Sequence, residues 1–312
     1  MACYLLRAVH IVSRLSKLPL VLALAAACCA ANAADSVTLR KIRESGIITL
    51  GYREAEFPFS YLDQSQRPIG YTMDICERIV SAVKLRLGMP DLERRYVQVE
   101  SPTRIPLVAN GTVDLECGVT TNTVERHRDV AFTITTFVAE SRLLSKRSSP
   151  VMKLDDMRGK VVTSSVGTTS LTHLQQLYAT KGLDMTILAA QDDPEAFRLV
   201  VTDRAAAYAM DDALLRGTIA NQPNPKDYVV SDERLAVEPY GIMLTKGDPE
   251  FKRLADDVII GLFKSGEIFK LYTKWFQSPI PPRGVSLAFP IFPSMQRLVA
   301  HPTDSPDPAS YP

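Results

Sequence analysis

The sequence predicts an α/β protein of two lobes joined by two extended hinge strands, with a cleft between the lobes. Three observations carry that expectation. Short β-branched apolar runs alternate with amphipathic helical runs, the pattern of parallel sheets with helices packed on them. The same order, a strand, then a Gly- or Thr-rich turn, then a helix, occurs twice, around 113–126 and again at 160–179. Extended apolar stretches at 131–137 and 141–146, and again at 238–245, stand outside the alternation and are the expected links between the halves. With 312 residues and 46% hydrophobic content, the chain is long enough for two moderate cores.

The first 33 residues stand apart from the fold. Arg7, Arg14 and Lys17 make a basic leader, 18–30 an apolar run, and Ala31-Asn32-Ala33 a small-residue cleavage site, which together predict a secretory signal and export to the periplasm. The run is short for a membrane span, and no later stretch is long and apolar enough to be one. Ala27-Cys28 falls where a lipid anchor is attached, but Ala25 replaces the large aliphatic residue expected three positions earlier, so simple cleavage is the expectation. Cleavage removes three positive charges and turns the formal net charge from +1 to −2. That balance excludes a nucleic-acid footprint. Two cysteines remain well inside the mature chain, Cys76 and Cys117. An oxidising compartment lets them pair, or they stay buried thiols; one reads as helical and the other as strand, so geometry decides.

In chain order, 37–44 is a short amphipathic segment ended by Gly46, and 47–52 a buried strand with Arg53 and Glu54 at its carboxyl end. Residues 73–87 form a helix with Ile75, Ile79, Val80, Val83 and Leu87 on one face. Strand 96–99 and helix 103–109, opened by Arg104, lead to strand 113–118 and the polar turn 120–123 before Arg126. After the first extended link come strand 160–164, helix 171–179, strand 185–189, helix 194–201 and strand 205–210 with Asp211 at its end. The second link follows, then apolar helices at 251–263 and 268–275 and a Pro-rich tail expected to be loosely held. The division expected is 34–138 for the first lobe, 139–240 for the second, 241–280 for the return, and 281–312 for the tail.

Charged groups just beyond buried strands of an α/β sheet sit where ligands bind. Four loops end in groups suited to an amino acid: Arg53, Arg104, Thr121 with Arg126, and Gly167-Thr168-Thr169. Threonines at a helix start offer hydroxyls beside unpaired N–H groups, and an arginine fork fits a carboxylate bidentately. Asp211 supplies the carboxylate that an ammonium needs, or else caps the helix that follows it. Catalysis has little to build on: His127 and His173 have no Cys or carboxylate at ligand or triad spacing, and His173 reads as a surface residue. No metal or cofactor is expected, and there is no phosphate-cradling glycine loop.

Six motifs carry a resemblance that spans residues 36 to about 300, in one order. They are Gly51-Tyr-Arg-Glu54 with Phe57-Pro-Phe-Ser60, Asn110-Gly-Thr-Val-Asp-Leu-Glu-Cys-Gly118, Thr120-Thr-Asn-Thr-Val-Glu-Arg126, Ser165-Val-Gly-Thr-Thr-Ser170, Met210-Asp-Asp-Ala-Leu-Leu215 and Trp275-Phe-Gln-Ser-Pro-Ile-Pro-Pro282. They resemble the periplasmic glutamate/aspartate-binding proteins of bacterial polar amino acid ABC importers, within solute-binding protein family 3. The resemblance implies a type II periplasmic binding fold, a monomer that closes on an amino acid and delivers it to an inner-membrane permease, and no enzymatic activity. It also implies roles: Arg126 with Thr121 for the ligand α-carboxylate, Asp211 for the α-ammonium, Arg53 and Arg104 for the side-chain carboxylate, and Thr168 and Thr169 for second-lobe contacts.

Two departures from the resembled pattern bear on the ligand. Val119 stands where those proteins carry a serine, and Asp193 where they carry a histidine near the distal carboxylate. One anion about 4 Å from another costs ~4 kcal/mol at an effective dielectric near 20, nearly three decades of affinity. Asp193 therefore turns away (Pro194 re-aims the loop), or pairs with an arginine, or the ligand is not acidic. Because Arg53 and Arg104 both persist, glutamate or aspartate is the expected ligand. Rival readings on the same fold are a periplasmic cyclohexadienyl dehydratase-like enzyme, with Asp193 or Glu54 as its acid or base, and a sensor that docks on a receptor.

Overall fold

The computed structural model describes residues 36–312. Residues 1–33, read above as a signal, and with them Cys28, lie outside the described residues. Ser36 opens the first helix, α1 (Val37–Ser45), by accepting the Leu39 N–H, and Gly46 closes it at φ 71°. The first half continues with β1 (Ile47–Tyr52), the short strands β2 (Ala55–Glu56), β3 (Ser60–Leu62) and β4 (Pro68–Ile69), and helix α2 (Tyr71–Leu87). Then come β5 (Glu93–Gln98), α3 (Arg104–Ala109), β6 (Leu115–Glu116), a single 3₁₀ turn at Arg126–Arg128, β7 (Val130–Phe132) and the long β8 (Phe137–Lys146). The second half holds β9 (Val161–Ser165), α4 (Thr169–Lys181), β10 (Thr186–Ala190), α5 (Asp193–Val201), β11 (Ala207–Asp211), α6 (Asp212–Ala220), β12 (Tyr228–Val230) and β13 (Ala236–Tyr240). The chain returns through β14 (Met243–Thr245) to α7 (Pro249–Ser265) and α8 (Glu267–Tyr272), and ends with α9 (Pro293–Ala300).

Two main sheets organise these elements. The first has the order β5-β1-β6-β14-β7 and the second β10-β9-β11-β8-β12, with β13 also pairing β8. Both were expected to be parallel. Their helix-linked strands are: β5, β1 and β6 in one, β10, β9 and β11 in the other. The strands that carry the links, β8, β13 and β14, run antiparallel to their neighbours. A strand that enters a sheet with no helix before it has no crossover to reverse its direction, so mixed sheets follow from the links themselves.

The links are packed rather than loose. Phe137, at the start of β8, stacks on Tyr240 at 5.9 Å, on Tyr272 at 6.0 Å and on Phe276 at 5.1 Å between ring centroids. Phe59 meets Phe137 edge-on at 4.9 Å. Both links thus meet the return helices in one aromatic cluster, which the sheets share. Cys76 and Cys117 are joined in a disulfide that ties α2 to the segment after β6. Closing a loop of 41 residues removes unfolded-chain entropy, an effect on the order of 4 kcal/mol.

The tail differs from its expectation. Phe289, Met295, Leu298 and Tyr311 are buried, and the Tyr311 hydroxyl lies 2.7 Å from the Thr135 hydroxyl in the first link. Prolines hide this in the sequence, because they break periodicity without removing the apolar side chains that anchor the segment. No helix among the described residues is long and apolar enough to cross a membrane.

Candidate ligand-binding site

The strand ends of the two sheets converge on a small cavity of about 20 Å³. Its first wall begins where β1 ends. Arg53 is 4% exposed, with Nη1 donating to Ser101 at 2.9 Å and Nη2 to Glu56 at 2.7 Å. Burial works to lower its pKa, but Glu56 first, then Asp193 and Glu100, outweigh it and raise the value. Arg104, on the first turn of α3, is 3% exposed and donates through Nη1 to the Val119 carbonyl. Burial, with Arg126 next, lowers its pKa to about 10. The Nε groups of both Arg53 and Arg104 are buried without a hydrogen-bond partner. A buried donor left unpaired is costly, and both arginines line the cavity.

Beyond β6 the polar turn performs as its composition suggests. Thr121 reaches the cavity and its hydroxyl lies 3.3 Å from that of Thr169 in the second half. Arg126 opens a single 3₁₀ turn, Arg126–Arg128. Its Nη1 donates to the Thr121 carbonyl at 2.7 Å and its Nη2 to the Gly167 carbonyl at 3.3 Å. Burial lowers its pKa, against the opposing pull of Glu238.

The second wall comes from the ends of β9, β11 and β13. Gly167 has φ 75°, and a Cβ there would sit 2.8 Å from the Pro102 nitrogen and the Ser101 carbonyl carbon. Only glycine lets the two walls approach this closely. Thr168 caps α4 by accepting the Leu171 N–H at 3.2 Å. Thr169 donates to Glu238 at 2.8 Å. Asp211 occupies the cap position of α6 yet makes no side-chain capping bond; it accepts the Tyr240 hydroxyl and faces the cavity. Burial, and then Glu238, push its pKa well up, as befits a carboxylate that waits for a cation.

Asp193 lies at the first turn of α5 with Asp192 as the cap, and accepts the Ser165 hydroxyl. It does not turn away, since it lines the cavity, and its charge acts on Arg53 without a salt bridge between the two. Instead it meets Glu56, which the sequence reading missed. Glu56 is 3% exposed, and burial followed by the Asp193 charge pushes its pKa up to about 8. The available signal was its place three residues after Arg53, on the β2 strand that alternates exposed and buried positions. Glu238 and Tyr240 on β13 were missed as well, because a link strand carries no turn motif to mark them. His173 was read as a surface residue; its Nδ1 lies 3.3 Å from the buried Glu238. Of the residues singled out, Arg53, Arg104, Thr121, Thr168, Thr169, Asp193 and Asp211 line the cavity, and Arg126 braces its edge through Thr121. The described residues hold no group of His, Cys, Asp and Glu arranged for a metal.

Two α/β halves, two packed links and a charged cavity at facing strand ends define a type II periplasmic binding protein. The solved structure of an ancestral arginine-binding protein bound to glutamine superposes with a TM-score of 0.65 at 26% identity, covering 74% of this chain and 98% of that one. Residues 48–278 match the bacterial extracellular solute-binding proteins, family 3, and the chain belongs to that family. It is 47% identical to the L-glutamate/L-aspartate-binding protein of Pseudomonas aeruginosa over 86% of this chain and 89% of that protein. It is 42% identical to the glutamate/aspartate import solute-binding protein of Escherichia coli over 88% and 91%. At this similarity the chain is a solute-binding protein and not an enzyme.

Proposed function

We propose that this chain is the extracytoplasmic substrate-binding component of an amino acid ABC importer, taking glutamate or aspartate in the cavity between its two sheets. The observation that carries the reading is that Arg53 and Arg104, each with a buried and unpartnered Nε, line one cavity together with Asp211. Two guanidinium groups and a carboxylate in one cavity fit an amino acid with an acidic side chain. In this reading Arg126 with Thr121 takes the α-carboxylate, Asp211 the α-ammonium, and Arg53 with Arg104 the distal carboxylate; Thr168 and Thr169 complete the second wall.

Residues 34–138 with 241–280 form one lobe and 139–240 the other, and the ligand favours closure because it bridges both. The contacts of Thr121 with Thr169 and of Arg126 with Gly167 are those a closed cleft makes. The mature protein works in the periplasm after removal of residues 1–33, as a monomer, and docks on an inner-membrane permease. A thermal-shift scan of ligand-stripped mature protein against the twenty amino acids tests the ligand, since a ligand of the folded form alone raises the melting temperature. Shifts confined to glutamate and aspartate are expected; shifts with glutamine or basic amino acids in their place overturn the assignment.

A further inference from the structure

Glu56 and Asp193 come from opposite walls of the cleft, Glu56 from β2 beside the first sheet and Asp193 from the start of α5 on the second. Closure holds them together. Phe57, next to Glu56, presses its carbonyl on Gly217 of α6 so tightly that a Cβ there would overlap it. On the other side, the Ser165 hydroxyl fixes Asp193. The groups facing the pair are few: Arg53 at 2.7 Å from Glu56, Arg104 and Glu116 behind it, Tyr208 beside Asp193, and Asp211 further along the cavity. Arg53 divides its charge among Glu56, Glu100 and Asp193, so it does not neutralise two carboxylates. Two carboxylates that meet, one of them buried, repel each other, and the buried one keeps a proton. The same carboxyls also line a neighbouring groove between Phe57, Phe197 and Asn221, which gives the proton a route to solvent.

We propose that Glu56 and Asp193 form one proton-sharing carboxyl pair assembled by lobe closure, so that capture of an acidic amino acid takes a proton from solution. The proposal rests on the transport reading above. In the open protein the two carboxyls are apart, solvated and ionised at neutral pH. In the closed protein Glu56 holds the proton, its pKa raised from an ordinary 4.5 to about 8. A group whose value rises on closure favours the closed state at low pH. Affinity is therefore fullest below the open-state value and is lost, by up to about tenfold per pH unit, as pH climbs toward the closed-state value. Above it the profile is level. The shared proton leaves the pair with one negative charge beside Arg53 instead of two, which lessens the repulsion on a ligand carboxylate.

Calorimetric titration of the mature protein with L-glutamate at pH 7, in buffers of different ionisation enthalpy, counts the protons directly. The expected result is uptake of about one proton per glutamate bound. At saturating glutamate, Glu56→Gln should bring the count close to zero, and Asp193→Asn, which leaves the burial of Glu56 in place, should lower it. Comparison with these variants cancels any contribution from Asp211, which they retain. Glutamate binding without proton uptake and with a dissociation constant flat between pH 6 and 8.5 would overturn the proposal, as would full uptake in both variants. Failure of every amino acid to bind wild-type protein would overturn the transport reading itself, and so is distinct from the flat profile.

Discussion

The two ends of the cleft are built on different terms. At the end assigned to the amino acid backbone, the charged groups are held by uncharged partners: Asp211 accepts the Tyr240 hydroxyl and Arg126 donates to the Thr121 and Gly167 carbonyls. At the end assigned to the side chain, the charges are crowded and already engaged with one another, with Arg53 set on Glu56, Ser101 and Glu100, and Glu56 set on Asp193. On the proposed assignment, the first end is a fixed receptor for what all amino acids share. The second is a charge cluster whose net sign depends on a proton. An exposed ion pair is worth little, but a buried one is costly to break, so selectivity in such a cluster follows from how its charges are balanced rather than from how many arginines it holds.

Breaking the backbone end should give the largest effects. Asp211→Ala and Arg126→Ala are each expected to weaken binding by at least about a hundredfold, the scale seen when one partner of a buried charge pair is removed. Binding of either variant within a few-fold of wild type, by isothermal titration, would mean that the two ends are not distinct in the way described. An intermediate effect is expected at the other end. Asp193→Asn removes the like charge from the distal subsite, so glutamate should bind about tenfold tighter than to wild type at pH 8, with the gain shrinking as pH falls toward the open-state value, below which the wild-type pair carries its proton before the ligand arrives. A gain that is independent of pH would assign Asp193 a purely steric role. The smallest effect belongs to the contact that spans the cleft without charge. Thr169→Val deletes hydroxyl contacts to Thr121 and Glu238, and should cost about 1 kcal/mol, a several-fold loss of affinity. A loss as large as that of Arg126→Ala would make the threonines principal ligand groups.

The tail gives a separate check on stability. Tyr311→Phe removes the hydroxyl that meets Thr135 and the Ser305 carbonyl, and should lower unfolding stability by roughly 1 kcal/mol with ligand binding unchanged. Urea unfolding measures this. No change would mean that the tail is held by its apolar side chains alone.

Much of the molecule was legible in one dimension, because periodicity and turn chemistry are local. The helices of the first half, the strand before Arg53 and the two extended links follow from runs of a few residues whose pattern matches one backbone geometry. The site residues at strand ends and helix starts could be named for the same reason, since a Thr-rich turn or a charged residue after a buried strand leaves a mark in the sequence. What the sequence alone left open was every pairing across distance: whether Cys76 joins Cys117, which way β8, β13 and β14 run, and what the tail covers. The same holds within the cleft. Asp193 was visible as a misplaced negative charge, but its partner Glu56 lies 137 positions earlier in the chain. Tertiary structure decided that the two meet, because a pKa depends on burial and on charges nearby in space, and neither is a property of neighbours along the chain.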